Sequence, residues 1–138
     1  MRVLSVTARA ICHATEDEGK VLKALENVLG SIDGARLRRE QLTGHYGDPI
    51  RLFTLELLDE DKARAVLENL KRSLSVPEKL TLVSEAFEDK GGEGILYVRL
   101  DKQCAYLGRL KLSERDAIRL EVRIVGSLDD LKEEMGVQ

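Results

Sequence analysis

The stretch Leu42-Thr43-Gly44-His45-Tyr46-Gly47-Asp48-Pro49-Ile50 sets an imidazole and a phenol side by side between two glycines. Such a pair can stack on a planar ring, exchange hydrogen bonds with it, or move a proton. Gly44 and Gly47 permit positive φ or close backbone approach, Asp48 closes a turn through its side chain, and Pro49 holds Asp48 extended. His45 and Tyr46 are therefore expected to be displayed rather than packed. The plainer alternative is a hairpin connection whose aromatics only cover a sheet edge.

The rest of the chemistry is sparse. His13 is the only other histidine. A ribonuclease needs little more than two such groups and a lysine, and His45 with Lys102 would be the pair to test. However, His13 falls near the end of a strand and His45 in a loop, and nothing in the sequence joins them. There is no serine nucleophile elbow, no phosphate loop ending in Lys-Ser or Lys-Thr, and no His-Glu pair at zinc-ligand spacing. The expectation is a non-catalytic protein without cofactor or metal. Cys12 and Cys104 lie far apart and belong to no paired spacing, so both read as small core residues rather than a redox pair. Asp101-Lys102-Gln103 opens a short helix, where it could cap the first turn or hold an anion. Tyr106 is either displayed for stacking or half-buried.

These residues must be positioned by a chain of 138 residues, 43% hydrophobic and 34% charged, with no tryptophan. That is the size of one domain, 1-138, with an aliphatic core and a heavily charged surface. There is no apolar run long enough to span a membrane, and the N-terminus reads straight into structure rather than into a secretion signal, so the expectation is cytoplasmic. The net charge of −3 argues against indiscriminate nucleic-acid binding, but the charge is unevenly spread. Residues 15–30 carry four acids against two bases and residues 59–90 eight against six, whereas residues 95–125 carry seven bases against four acids. Arg36, Arg38, Arg39 and Arg51 stand against Glu40 and Asp48 in between. The acidic segments coincide with helical patterns and the basic ones with strands.

From Leu4 to Ala14 apolar residues alternate at Leu4, Val6, Ala8, Ala10, Cys12 and Ala14, a half-buried strand. Thr15 and Glu18 have the spacing of a capping box, and Val21, Leu22, Leu25, Val28 and Leu29 continue at helical spacing to Gly30. Residues 35–42 and 50–58 are expected as an antiparallel hairpin around the His45 loop. A helix follows Asp59, and a second restarts at Ser75-Val76-Pro77-Glu78. Residues 89–94 read as a flexible connector, 95–100 and 117–125 as strands, 101–107 as a short helix. Residues 126–138 form a short helix or a mobile C-terminal segment.

The order suits an α+β fold, a mixed, mainly antiparallel sheet with helices packed on one face. The other face then carries Thr7, Arg9, Arg36, Arg38, Thr54, Tyr97, Arg99, Arg119 and Arg123, with Glu40, Glu56 and Glu121 interleaved. Such a surface is either a set of solvated ion pairs or a basic platform whose planar groups stack on bases and pair with phosphates.

Three blocks, His13-Ala14-Thr15-Glu16-Asp17-Glu18 with Lys20-Val21, then 44–50, then Leu96-Tyr97-Val98-Arg99-Leu100-Asp101-Lys102-Gln103-Cys104-Ala105-Tyr106-Leu107-Gly108, resemble the archaeal RNA-binding family described as predicted exosome subunits. The resemblance runs from the first strand to about Val125. It implies a fold similar to the ribosomal protein that contacts 5S RNA, and a non-catalytic role in archaeal RNA processing, the exosome or ribosome-related work. Carried over by motif, it points to His13, Gly44, His45, Tyr46, Gly47, Asp48, Asp101, Lys102, Gln103 and Tyr106. The low net charge departs from that of a strong RNA binder.

The expected RNA-binding set is thus Arg9, His13, Arg36, Arg38, His45, Tyr46, Tyr97, Arg99, Lys102, Gln103, Tyr106, Arg119 and Arg123. Expected partners are RNA and exosome or ribosomal assembly proteins, with no membrane, and an edge strand through which the chain could dimerise. The rival reading is a protein-interaction module that docks on an RNA-processing assembly without holding RNA strongly itself.

Overall fold

Alternation along the first strand organises everything that follows. In the computed structural model, which describes residues 1–137, β1 (Arg2–Cys12) buries Val6, Ala8, Ala10 and Cys12 on one face and turns Thr7, Arg9 and Ile11 to the other. Leu4 was expected inward, but a bulge between Val3 and Ser5 shifts the register, so Val3 is buried and Leu4 only half so. Ala14 lies beyond the strand and is exposed.

Asp17, not Thr15, caps α1 (Glu18–Leu29), accepting from the amides of Gly19 and Lys20. The expected capping box does not form because the helix starts two residues later than Thr15 would set it, with Asp17 as its cap; the Glu18 carboxylate instead pairs with Arg39 and Arg51. The hairpin of β2 (Arg36–Thr43) and β3 (Pro49–Leu57) forms as its pattern predicts. After Asp59, α2 (Glu60–Ser73) buries Val66, Leu67 and Leu70; the Ser75–Glu78 capping box then starts α3 (Val76–Glu85).

The expected connector at 89–94 is mostly ordered hairpin. A short strand, β4 (Phe87–Asp89), was not anticipated and pairs with β5 (Glu93–Asp101) through a turn in which Gly91 and Gly92 take φ of 78° and 91°. Three residues are too few to give a sequence period. Gly94 is buried in β5 because the Phe87 ring lies where its side chain would stand. The chain finishes with α4 (Lys102–Tyr106), β6 (Ala117–Val125) and α5 (Leu128–Met135).

The sheet order is β2-β3-β1-β6-β5-β4, and every pairing between these strands is antiparallel. Aliphatic side chains of the strands meet those of the helices in one core on one face. Among the described residues no helix is long and apolar enough to cross a membrane. Residues 126–138, expected to include a mobile segment, contain α5; Leu131, Met135 and Val137 are buried, and Ser127 caps its start. Gln138 lies outside the described residues. Glu134 of α5 also pairs with Arg64 and Lys71 of α2.

Two predictions follow from these contacts. A Cβ at position 94 would stand 2.5 Å from the Glu88 carbonyl oxygen and 2.4 Å from Cζ of the Phe87 ring. Gly94→Ala should therefore cost about 1–3 kcal/mol in urea denaturation. Glu134 is the second. Burial raises its pKa, but the Lys71 hydrogen bond and the Arg64 and Lys71 charges outweigh it and hold the carboxyl below its ordinary value. Its contribution is complete above the unfolded value of about 4.3 and fades as pH falls through the lower folded value. Glu134→Gln should lower stability by about 1–2 kcal/mol at pH 7, and the gap to the parent should shrink in denaturation at about pH 3.

Candidate nucleic-acid interface

The strand registers bring four arginines into one row across the uncovered face. Arg38 stands opposite Thr54, Thr54 opposite Arg9, Arg9 opposite Arg119, and Arg119 opposite Arg99. At about 4.8 Å per strand the row spans roughly 19 Å, long enough for several phosphates rather than one anion. Directly opposed like charges destabilise a sheet, so folding alone does not favour Arg9-Arg119-Arg99. Neutralisation is partial. Arg9 bonds Glu121 at 2.7 Å and Arg38 bonds Glu40 at 3.0 Å, while Arg99 reaches the exposed Glu114 only at 3.8 Å. Among the described residues, Arg36, Arg119 and Arg123 have no carboxylate partner within 4.0 Å. Thr54 is 1% exposed, and its hydroxyl has no hydrogen-bond partner. Tyr97 lies in the next row opposite Glu121 and donates to Glu88 at 2.9 Å; that hydrogen bond raises the phenol's pKa.

At the end of the sheet where β1 and β5 finish and β6 begins, the three sequence blocks converge. The 44–48 loop is closed by the Gly44 amide donating to the Asp48 carbonyl at 2.6 Å, with Gly47 at φ 81°. It holds Tyr46 87% exposed, with the His45 ring edge-on to it at 4.8 Å between centroids. The pair is displayed, as its flanking glycines predict.

Lys102 occupies a different position from the one expected of an RNA contact. It is 8% exposed, and its ammonium donates to the Ile11 carbonyl at 2.7 Å and to Glu16 at 2.9 Å, and lies 3.0 Å from Asp116. Its length and charge are spent tying the end of β1, the following turn, α4 and the start of β6 together. His13 Nε2 lies 3.1 Å from Asp116, whose backbone takes φ 42°, rare for a residue other than glycine. Donor atoms of His13, Glu16 and Asp116 come within 4.8 Å of one another, a grouping that could hold a metal ion. The Lys102 ammonium already binds both of those carboxylates and supplies the cation they require.

Next to this cluster a cleft of about 450 Å³ opens between α1 and α4. Four carboxylates line it, and all are engaged. Asp17 caps α1, Asp101 accepts from the Cys104 amide, and Glu16 and Asp116 bind Lys102. The Cys104 amide is also what holds the Asp101 carboxyl below its usual pKa. That amide is therefore not open to an anion. Gln103 and Tyr106 line the same cleft, Tyr106 being 37% exposed. Cys12 is buried, and burial raises its thiol pKa; Cys104 is half-buried and not paired with it.

The expected residues thus fall into three groups. Arg9, Arg36, Arg38, Tyr97, Arg99, Arg119 and Arg123 share the open face; His45 and Tyr46 form the hairpin tip; His13, Lys102, Gln103 and Tyr106 surround the cluster and cleft. Sequence reasoning did not single out Lys20, Arg115 or Asp116 as site residues. They join the cleft only through packing of α1 on α4 and the turn before β6, which leave no local pattern.

Comparison with known proteins bears on this surface. RNA-binding protein PAB1135 of Pyrococcus abyssi is 35% identical over 124 residues, 87% of this chain and 80% of that protein. An uncharacterised protein of Methanocaldococcus jannaschii, MJ0213, is 27% identical over 117 residues, 83% of this chain and 78% of its own. The structure of Mth689, a DUF54 protein from Methanothermobacter thermautotrophicus, superposes with a TM-score of 0.79 at 27% identity, covering 99% of this chain and 97% of the other. A family model described as RNA binding matches residues 5–124, a span that holds the arginine row, the hairpin tip and the cleft, and the chain belongs to that RNA-binding family.

Proposed function

We propose that the protein binds RNA non-catalytically on its open sheet face, phosphates following the arginine row and unpaired bases meeting His45 and Tyr46. The observation that carries the reading is the run Arg9-Arg119-Arg99 in direct register, a repulsive arrangement that a polyanion relieves. Arginine suits the task, since its planar fork pairs with phosphate and stacks on bases. The interleaved glutamates set the affinity to moderate and salt-sensitive. The setting is archaeal RNA processing, with exosome or ribosomal assemblies as partners; the resemblance of the three sequence blocks supports that setting.

A second reading, docking to another protein, is favoured by β2. This outer strand has no buried residue, leaves one backbone edge unpaired, and exposes Leu37 and Leu42. Strand addition by a partner needs such an edge.

Fluorescence anisotropy against a short stem-loop RNA at several salt concentrations separates the two. Arg119→Glu and Arg38→Glu should each weaken binding by roughly tenfold or more and lower the salt slope by about one per lost phosphate contact. His45→Ala/Tyr46→Ala should weaken binding to a single strand by about 1–3 kcal/mol per lost stack, with a smaller effect on duplex. Thr54→Val, which removes a buried unpartnered hydroxyl, should leave stability unchanged or slightly raised. Unaltered binding in both arginine variants would overturn the sheet-face reading.

A further inference from the structure

The cleft between α1 and α4 differs from the sheet face in what it leaves free. Its carboxylates are all engaged by helix amides or by Lys102. The polar side chains that line it without a hydrogen-bond or ion-pair partner, among the described residues, are Thr15, Lys20, Gln103, Tyr106 and Arg115. Two cations, an amide, a phenol ring and a hydroxyl together match the parts of a nucleotide: phosphate, base edge, base face and ribose. The volume of about 450 Å³ falls within the range of small-ligand sites. Lys20 Nζ lies 5.8 Å from the Tyr106 ring centroid, so a phosphate on Lys20 and a base on Tyr106 would be neighbours, as they are within one nucleotide.

We infer that this cleft seats one unpaired nucleotide, its base stacked on Tyr106 with an edge toward Gln103 and its phosphate between Lys20 and Arg115. The inference rests on the RNA-binding reading and extends it from phosphate attraction to capture of a free base. Four carboxylates against Lys20, Lys102 and Arg115 leave no attractive field in the cleft. Capture there depends on stacking and directed bonds, while the arginine row supplies the long-range attraction. The Lys102 ties fix the floor, so little ordering accompanies entry.

The test compares a blunt RNA duplex with the same duplex carrying a short unpaired 3′ extension, by anisotropy at fixed salt, in the parent protein and in a His45→Ala/Tyr46→Ala background. The parent protein should prefer the extended RNA by roughly tenfold. In the His45→Ala/Tyr46→Ala background part of the preference should remain, and Tyr106→Ala/Gln103→Ala should abolish it there and leave the blunt duplex's affinity unchanged, while Tyr106→Phe should retain it. Arg119→Glu should weaken both RNAs together. A preference that survives Tyr106→Ala/Gln103→Ala in that background, or its absence in the parent, overturns the cleft assignment and leaves the sheet-face reading standing. If neither RNA binds the parent, the sheet-face reading fails, and titration with 5′-AMP and 5′-UMP decides the cleft separately. Shifts of the Gln103 side-chain amide in nitrogen–proton correlation spectra, lost in Tyr106→Ala, would uphold a mononucleotide site. No shift would overturn it.

Discussion

Every helix of this protein answers to one constraint: the strands send their aliphatic side chains to a single face. Val6, Ala8 and Ala10 of β1, Leu96, Val98 and Leu100 of β5, and Ile118, Leu120 and Val122 of β6 all point the same way and are buried. Removing that apolar area from water is the main driving force for the helices to cover it. Because side chains alternate with a period of two, the same packing displays the intervening residues as one surface. Hydrophobic burial therefore fixes where Arg9, Arg99 and Arg119 stand, although none of them belongs to the core. Antiparallel register then turns three separate arginines into neighbours.

The second organising contact is the Lys102 ammonium. A buried cation is costly unless its donors are satisfied, and here a carbonyl and two carboxylates satisfy it. In doing so it fastens four chain segments at the end of the sheet where the hairpin tip and the cleft also lie. Rigid support of this kind lets a cleft wall such as Tyr106 present its ring with little freedom to lose on binding.

Much of this was legible in the sequence. Alternation located β1, β3, β5 and β6, while β2 was placed by its arginines and the turns on either side, so the open-face arginines were identifiable one by one, and the glycines around His45-Tyr46 announced their exposure. What was not legible arose from partners distant in the chain. Glu18 was expected to close a capping box, but it pairs with Arg39 and Arg51 instead. Lys102 was expected at the RNA because a lysine at a helix start gives no sign of the Glu16 and Asp116 that surround it. β4 was too short to carry a period, and the bulge at Leu4 depends on β6. Arg115 and Lys20 line a cleft made only by tertiary packing. Membership of the RNA-binding family agrees with the RNA-binding part of the resemblance carried by the three blocks.

The central claim is that RNA phosphates follow the arginine row. The most direct measurement is titration of the labelled protein with a stem-loop RNA while observing arginine Nε–Hε correlations. The account predicts that Arg9, Arg38, Arg99 and Arg119 shift together and saturably, and that Arg64 and Arg72 on the helical layer stay in place. Shifts confined to the helical layer, or none on the open face at saturating RNA, would contradict it.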